Sequence, residues 1–202
     1  MPRRRRDKLT GEIDELVEES IRSTLRKRLT PHRELPEGVV TIVFTDVEGS
    51  TELVRDLGEA EARARLRRHD DVVREVLKEH DGVEVERAGD AFMLAFRSPT
   101  RAVAFALALH HRLAGDGDLR VRIGMDTGEV IREEQGYFGR TVFRAARIAE
   151  RGTGGQVLAS EATKVLAQPD APTTFEDTGE HELTGLPGTH RIFEVRLSDQ
   201  QR

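Results

Sequence analysis

The sequence predicts an α+β domain with a ferredoxin-like βαββαβ core, and three observations lead there. The run VVTIVFT (39–45) is apolar and β-branched, so it reads as a buried strand. Over 59–80, Ala62, Leu66, His69, Val73, Val76 and His80 fall on one helical stripe. Two strand-like segments, GVEVERAG (82–89) and DAFMLAF (90–96), then meet at a tight Ala88-Gly89-Asp90 turn, ahead of another helix and strand.

The elements follow in order. Residues 1–8 hold five Lys/Arg and one Asp, a basic tip expected to be a disordered, solvated tail. Residues 9–29 place Leu9, Ile13, Leu16, Val17, Ile21, Leu25 and Leu29 at helical spacing, with acids early and bases late, as the helix dipole favours. So thin a stripe needs a partner, either a second copy in a short coiled coil or the domain body. It reads as a dimer-setting or transducing element. Residues 30–38 carry two prolines and a glycine and read as a linker. The main domain is expected over 39–197. Within it, Ser98-Pro99 opens a buried helix (99–113) with an N-cap and a proline at N1. LRVRIGMDTGEVIRE (119–133) reads as strand, glycine-bearing turn and strand, with Asp126 in the turn. A helix (139–151), the strand GQVLAS (155–160), a short helix from Glu161, a β region ending THRIFEVRL (189–197) and a tail (198–202) complete the chain.

Composition narrows the class. Of 202 residues, 37% are hydrophobic and 34% charged, a soluble composition. The longest apolar run, AVAFALAL (102–109), is too short to span a bilayer. No apolar segment follows the basic tip, so no secretory signal is read. Without cysteine there is neither a disulfide framework nor a thiolate metal site. A cytoplasmic location is expected. Net charge is −5, and beyond the +4 tip the chain carries −9. An acidic body argues against a nucleic-acid surface, and no membrane contact is expected.

The chemistry starts at FTDVEGST (44–51). A buried strand ends on one carboxylate, Asp46, at the sheet margin. Gly49, Ser50 and Thr51 follow, where a helix start would point free N–H groups at an anion, phosphate above all. A carboxylate beside an anion nest suggests a divalent metal carrying a phosphate. The plainer alternative is that Asp46 and Ser50 only cap a helix. Asp90 alone is ordinary turn chemistry. In a ferredoxin-like sheet, however, the first strand and the hairpin turn can be neighbours. Two aspartates there would suit two hard metal ions. On helix 139–151, Arg140, Arg144, Arg147 and Arg151 share one face. That stripe suits either solvent or a charged transition state. His69 and His80 read as core-edge residues, and His110-His111 as a basic helix end.

Four segments carry a resemblance: VTIVFTDVEGST, RAGDAFMLAF, LRVRIGMDTGEV and YFGRTVFRAARIAERGTGGQVLAS. In this order they resemble the class III nucleotide cyclase catalytic domain, closest to bacterial members with FTDxEGST openings. The likeness covers 39–196 and includes the closing LTGLPGTHRIFEV. It implies conversion of ATP, or GTP, to a 3′,5′-cyclic monophosphate and pyrophosphate by a head-to-tail homodimer with sites at the interface. Asp46, the Val47 backbone and Asp90 would hold two Mg²⁺ or Mn²⁺ ions. The backbone of Val47, Glu48, Gly49, Ser50 and Thr51 would cradle the triphosphate. Arg147, from the partner subunit, would steady the transition state, and Arg191 would meet the terminal phosphates.

The chain departs from that pattern at three places. Phe143 stands where active members often have a ribose-orienting asparagine. Glu86 stands where adenylate-making members often have lysine and guanylate-making ones glutamate. Gly136 stands at the partner base position, and Gln135–Phe138 lacks an acid often found there. These departures favour a competing reading, a non-catalytic dimerising module. A diguanylate cyclase is disfavoured because AGDAF, and no Gly-Gly-Asp/Glu-Glu-Phe turn, occupies 88–92.

Overall fold

The computed structural model describes residues 35–114, 119–133, 136–169 and 173–198. The readings on the basic tip, the 9–29 helix, most of the linker, Gln135 and residues 199–202 lie outside the described residues.

The expected core is present. β1 (Val39–Val47) runs into α1 (Ser50–Leu57), and Gly58 separates α1 from α2 (Glu59–Glu79). The hairpin β2 (Val83–Ala88) and β3 (Ala91–Phe96) follows, then α3 (Pro99–Ala114) and β4 (Val121–Glu129). Next come a small hairpin, β5 (Ile131–Glu133) with β6 (Gly136–Phe138), and α4 (Arg140–Arg151). β7 (Val157–Ser160), α5 (Glu161–Leu166), β8 (Thr173–Glu182) and β9 (Thr189–Leu197) close the domain.

Seven strands form one sheet in the order β2-β3-β1-β4-β7-β9-β8. β1 is central and antiparallel to both β3 and β4, as the ferredoxin-like reading requires. Alternation along β1 divides two cores. Val43 and Val47 face α2 and α3, where Phe92, Phe96 and Phe105 are fully buried. Phe96 and Phe105 pack with ring centroids 5.2 Å apart. Val40 and Ile42 face the other way, toward Met93, Tyr137 and Ala145 of α4. α4 lies close on β4 because Gly124 has no side chain; a Cβ there would strike the Ala149 backbone.

Two readings need correction. The turn expected around Asp126 and Gly128 is absent, and β4 runs unbroken through both. Gly128 instead makes room for α4: a Cβ there would meet Thr141 Oγ1 at 2.7 Å. Asp126 faces Ile42 across the ladder, is 0% exposed, and accepts a hydrogen bond from Arg144 Nε at 2.7 Å. Burial raises its carboxyl above the ordinary range, which Ser160 and Arg144 only partly offset. The second correction concerns His110. Its Nε2 lies 2.9 Å from the Val121 carbonyl, so that nitrogen donates, and burial lowers its pKa. The half-buried imidazole is tied to the β4 backbone and favours the neutral form instead of serving as a helix-end cation.

His69 packs against Phe92 at 6.0 Å, and burial lowers its pKa also. Folded values depressed below the ordinary 6.5 mean that both histidines stabilise the fold above that pH. The contribution is lost as pH falls through the folded values. Thermal denaturation between about pH 8 and pH 5 is expected to give a Tm that drops on acidification. In His110→Gln, which keeps an N–H donor but cannot titrate, the drop is expected to be shallower. An unchanged slope would exclude His110 as a contributor.

Candidate active site

The site gathers at the C-terminal end of β1. The β1–β3 ladder ends at Thr45↔Phe92, so Asp46 comes level with Ala91 and the β2–β3 turn holding Asp90. The two aspartates, far apart in sequence, thus share one corner of the sheet. Asp90 Oδ2 is buried and makes no hydrogen bond. A buried carboxyl oxygen left without a partner is costly, and such a donor fits a divalent metal. Asp46 is half-buried and receives Arg122 Nε at 2.8 Å. Among the described residues, no group of three or more His, Asp or Glu side chains is placed to hold a metal. A metal here would complete its shell from backbone and substrate oxygens.

Beyond Asp46 the backbone turns. Gly49, not Ser50, is the N-cap of α1, with φ 71°, the left-handed region that glycine enters without strain. It supplies no side-chain cap. The Glu48 N–H is already bonded to the Arg120 carbonyl at 2.8 Å, and the first helical bond runs from Leu53 N–H to the Gly49 carbonyl. The amides of Gly49 to Glu52 are therefore the ones a helix start leaves free for an anion. Val47 belongs to the sheet, opposite Val121. The strand extends further than its apolar run, so the backbone of Val47 is engaged by the sheet and that of Glu48 by Arg120.

The two positions expected to read the base fall on β2 and on β6 beside it. Glu86 lies directly across from Met93, and Met93 from Phe44, so the three share one face, the face of Asp46. Met93 and Phe44 form an apolar floor between Glu86 and Asp46. Glu86 is exposed. Gly136 backs onto Val85, where a Cβ would stand 3.5 Å from Cγ1.

α4 covers β4, β1 and β7 on this same face. Its arginines divide. Arg144 turns inward to Asp126, while Arg147 pairs with Glu150 at 2.6 Å on the exposed side. Within the chain, Arg147 is not tied to Asp46. Phe143 is 46% exposed and meets Phe138, itself 50% exposed, edge to face at 5.4 Å. Arg191 sits near the start of β9, three strands from β1. Strand directions put it at the sheet end opposite Asp46, where it pairs with Asp177 at 2.9 Å. Its own chain does not bring Arg191 to the Asp46 corner.

Sequence reasoning missed Arg122. The available signal was the alternation of Arg120 and Arg122 in an otherwise apolar strand, matching the spacing of Glu48 and Asp46 across the ladder.

The chain is similar to several known proteins in sequence and fold. An uncharacterised protein of Mycobacterium tuberculosis is 39% identical over 79% of this chain and 56% of its own length. An adenylate cyclase of Lachancea kluyveri is 32% identical over 68% of this chain but only 9% of its own. The chain thus spans only part of these curated relatives. A solved structure of adenylate cyclases from Trypanosoma brucei in their monomeric state superposes with a TM-score of 0.70 at 25% identity, covering 83% of this chain and 93% of that one. The guanylate cyclase domain of RhGC from Catenaria anguillulae, solved with GTP, shares the fold at a TM-score of 0.68 and 21% identity, covering 79% and 97%. A model of the adenylate and guanylate cyclase catalytic domain matches residues 34–196. On that match and the shared sheet architecture, the chain belongs to the adenylate and guanylate cyclase catalytic domain family.

Proposed function

We propose that the chain is a cytoplasmic adenylate cyclase that forms 3′,5′-cyclic AMP and pyrophosphate from ATP, working as a head-to-tail homodimer. The ribose 3′-oxygen attacks the α-phosphorus in line, the bond to the bridging pyrophosphate oxygen breaks, and the hydroxyl proton passes to water. The observation that supports this reading is the register that sets Asp46 level with the turn holding Asp90, whose Oδ2 has no hydrogen-bond partner, beside a helix start with free amides. Asp46, Asp90 and the Val47 backbone would hold two Mg²⁺ or Mn²⁺ ions, which when bound acidify the 3′-hydroxyl and neutralise phosphate charge. The amides of Gly49 to Thr51 orient the triphosphate. Arg147 of a second copy stabilises the charge that develops on the α-phosphoryl group. Arg191 can reach the terminal phosphates only from a second copy, since its own chain holds it at the far sheet end.

Product formation by the purified chain with Mn²⁺ and either ATP or GTP tests the reading, beside an Asp46→Ala control. Cyclic AMP lost in the control supports it. The specific observation favouring GTP is Glu86, an exposed carboxylate on the site face that can accept from the N1–H and amino group of guanine. Cyclic GMP alone would select that alternative. A non-catalytic dimerising module is the second reading, favoured by an apolar ring at Phe143. The two diverge in Phe143→Asn. An oriented polar group there is expected to raise turnover by about 10²-fold, the low end of what one such donor contributes. If neither form turns over ATP or GTP, the module reading stands.

A further inference from the structure

The Glu48 side chain is engaged by other segments of its own chain. Its Oε1 accepts from the Gly154 N–H at 3.0 Å, and the Gly154 carbonyl accepts from Arg120 Nη2 at 2.7 Å. Arg120 Nε stands 4.0 Å from Glu48 Oε2. The Glu48 N–H bonds back to the Arg120 carbonyl at 2.8 Å, and the Gly155 N–H bonds to the Val121 carbonyl at 2.9 Å. Three segments therefore close on one point: the turn after β1, the approach to β4, and the loop between α4 and β7. The fit is tight enough to exclude a side chain at 154. A Cβ on Gly154 would lie 2.6 Å from Arg120 Cβ, a stem atom that cannot swing aside.

We infer that Glu48 is a positioning residue that fixes the Val47–Gly49 turn by bridging it to Gly154 and Arg120. The inference rests on the cyclase reading for what the turn holds, though not for the bridge itself. The geometry of the turn leaves a place for such a brace. Gly49 is a left-handed residue without a side-chain cap, so the first turn of α1 is held on its helical side by the Leu53 N–H to Gly49 carbonyl bond and has no side-chain cap on the strand side. The hydrogen bonds of Glu48 hold that side from outside. A displacement of the order of 1 Å at a positioned phosphate group lowers binding and turnover severely. A carboxylate makes the bridge well because it accepts from an N–H and attracts a guanidinium with separate oxygens.

Three variants of the full chain test this: Glu48→Ala, Glu48→Gln and Gly154→Ala. Binding of the fluorescent nucleotide mant-ATP with Mn²⁺ is measured beside KM and kcat for ATP. Hydrogen exchange is followed in peptides spanning 46–53 and 152–158. Glu48→Ala is expected to speed exchange in both peptides and weaken mant-ATP binding about tenfold. Gly154→Ala is expected to reproduce that loss from the opposite side of the bridge. Glu48→Gln, whose amide oxygen still accepts from Gly154, is expected to recover most of the affinity lost in Glu48→Ala. A merely structural role would lower Tm in Glu48→Ala yet leave mant-ATP affinity at the wild-type value, and that result overturns the inference. Mant-ATP binding that responds as expected, in a wild-type chain that makes no cyclic nucleotide, would sink the cyclase reading and leave the brace standing. Absence of mant-ATP binding by the wild type would overturn both.

Discussion

Asp46→Ala is expected to lower cyclic nucleotide formation by more than about 10³-fold, the largest single effect in the chain. The fold should survive it. Asp46 and Arg122 are each partly open to solvent, with side-chain exposures of 27% and 32%. Arg122 can turn to water when its partner is removed, so the loss of stability should be no more than about 1 kcal/mol. Activity depends on Asp46 in a different way. A neighbouring arginine fixes the carboxylate but cannot replace its charge toward a divalent ion. Asp46→Asn separates the two roles, because its amide oxygen still accepts from Arg122 while the negative charge is gone. Both variants should therefore be inactive with near-native thermal unfolding. An Asp46→Ala protein that kept a tenth of wild-type turnover would remove Asp46 from the metal site and with it the two-metal reading.

The reasons this site could be read from sequence are local. A β-branched run ending on Asp46 needs little tertiary context to become a strand. A Gly-Asp pair between two apolar alternations is a hairpin turn almost wherever it occurs. The ferredoxin-like order then brings strand end and turn together, and the observed ladder does the same. What escaped depends on packing. From sequence alone Asp126 reads as a turn residue because Asp and Gly close together usually punctuate. Their role here is set by α4, which descends on Gly124 and Gly128 and buries Asp126 against Arg144. No local pattern encodes the distance of a helix from a sheet. Arg122 escaped for a related reason: a charge in a strand reads as a solvent face until its register partner is known, and that partner is Asp46. The Arg stripe of α4 was legible as a stripe, but not its division into one arginine turned inward and one paired on the surface.

That division bears on how one site is assembled. Arg147 lies on the sheet face that carries Asp46, yet its guanidinium is held by Glu150, and among the described residues of its own chain nothing draws it to Asp46. If each site of the proposed dimer takes its aspartates from one copy and Arg147 from the other, the two lesions should complement. Arg147→Ala and Asp46→Ala homodimers each lack one part at both sites and should be inactive. A mixed dimer places both lesions in one site and leaves the other whole. Equal mixing with free subunit exchange makes half the dimers mixed, and should restore about a quarter of the wild-type rate. The Glu150 ion pair is exposed and worth little, so it should yield to a developing phosphoryl charge. Glu150→Gln offers a check on that step: Arg147, freed of its surface partner, should keep or raise turnover. Activity that fails to reappear on mixing, in a preparation where exchange between copies is verified by subunit labelling, would place Arg147 in its own chain's site or outside catalysis altogether.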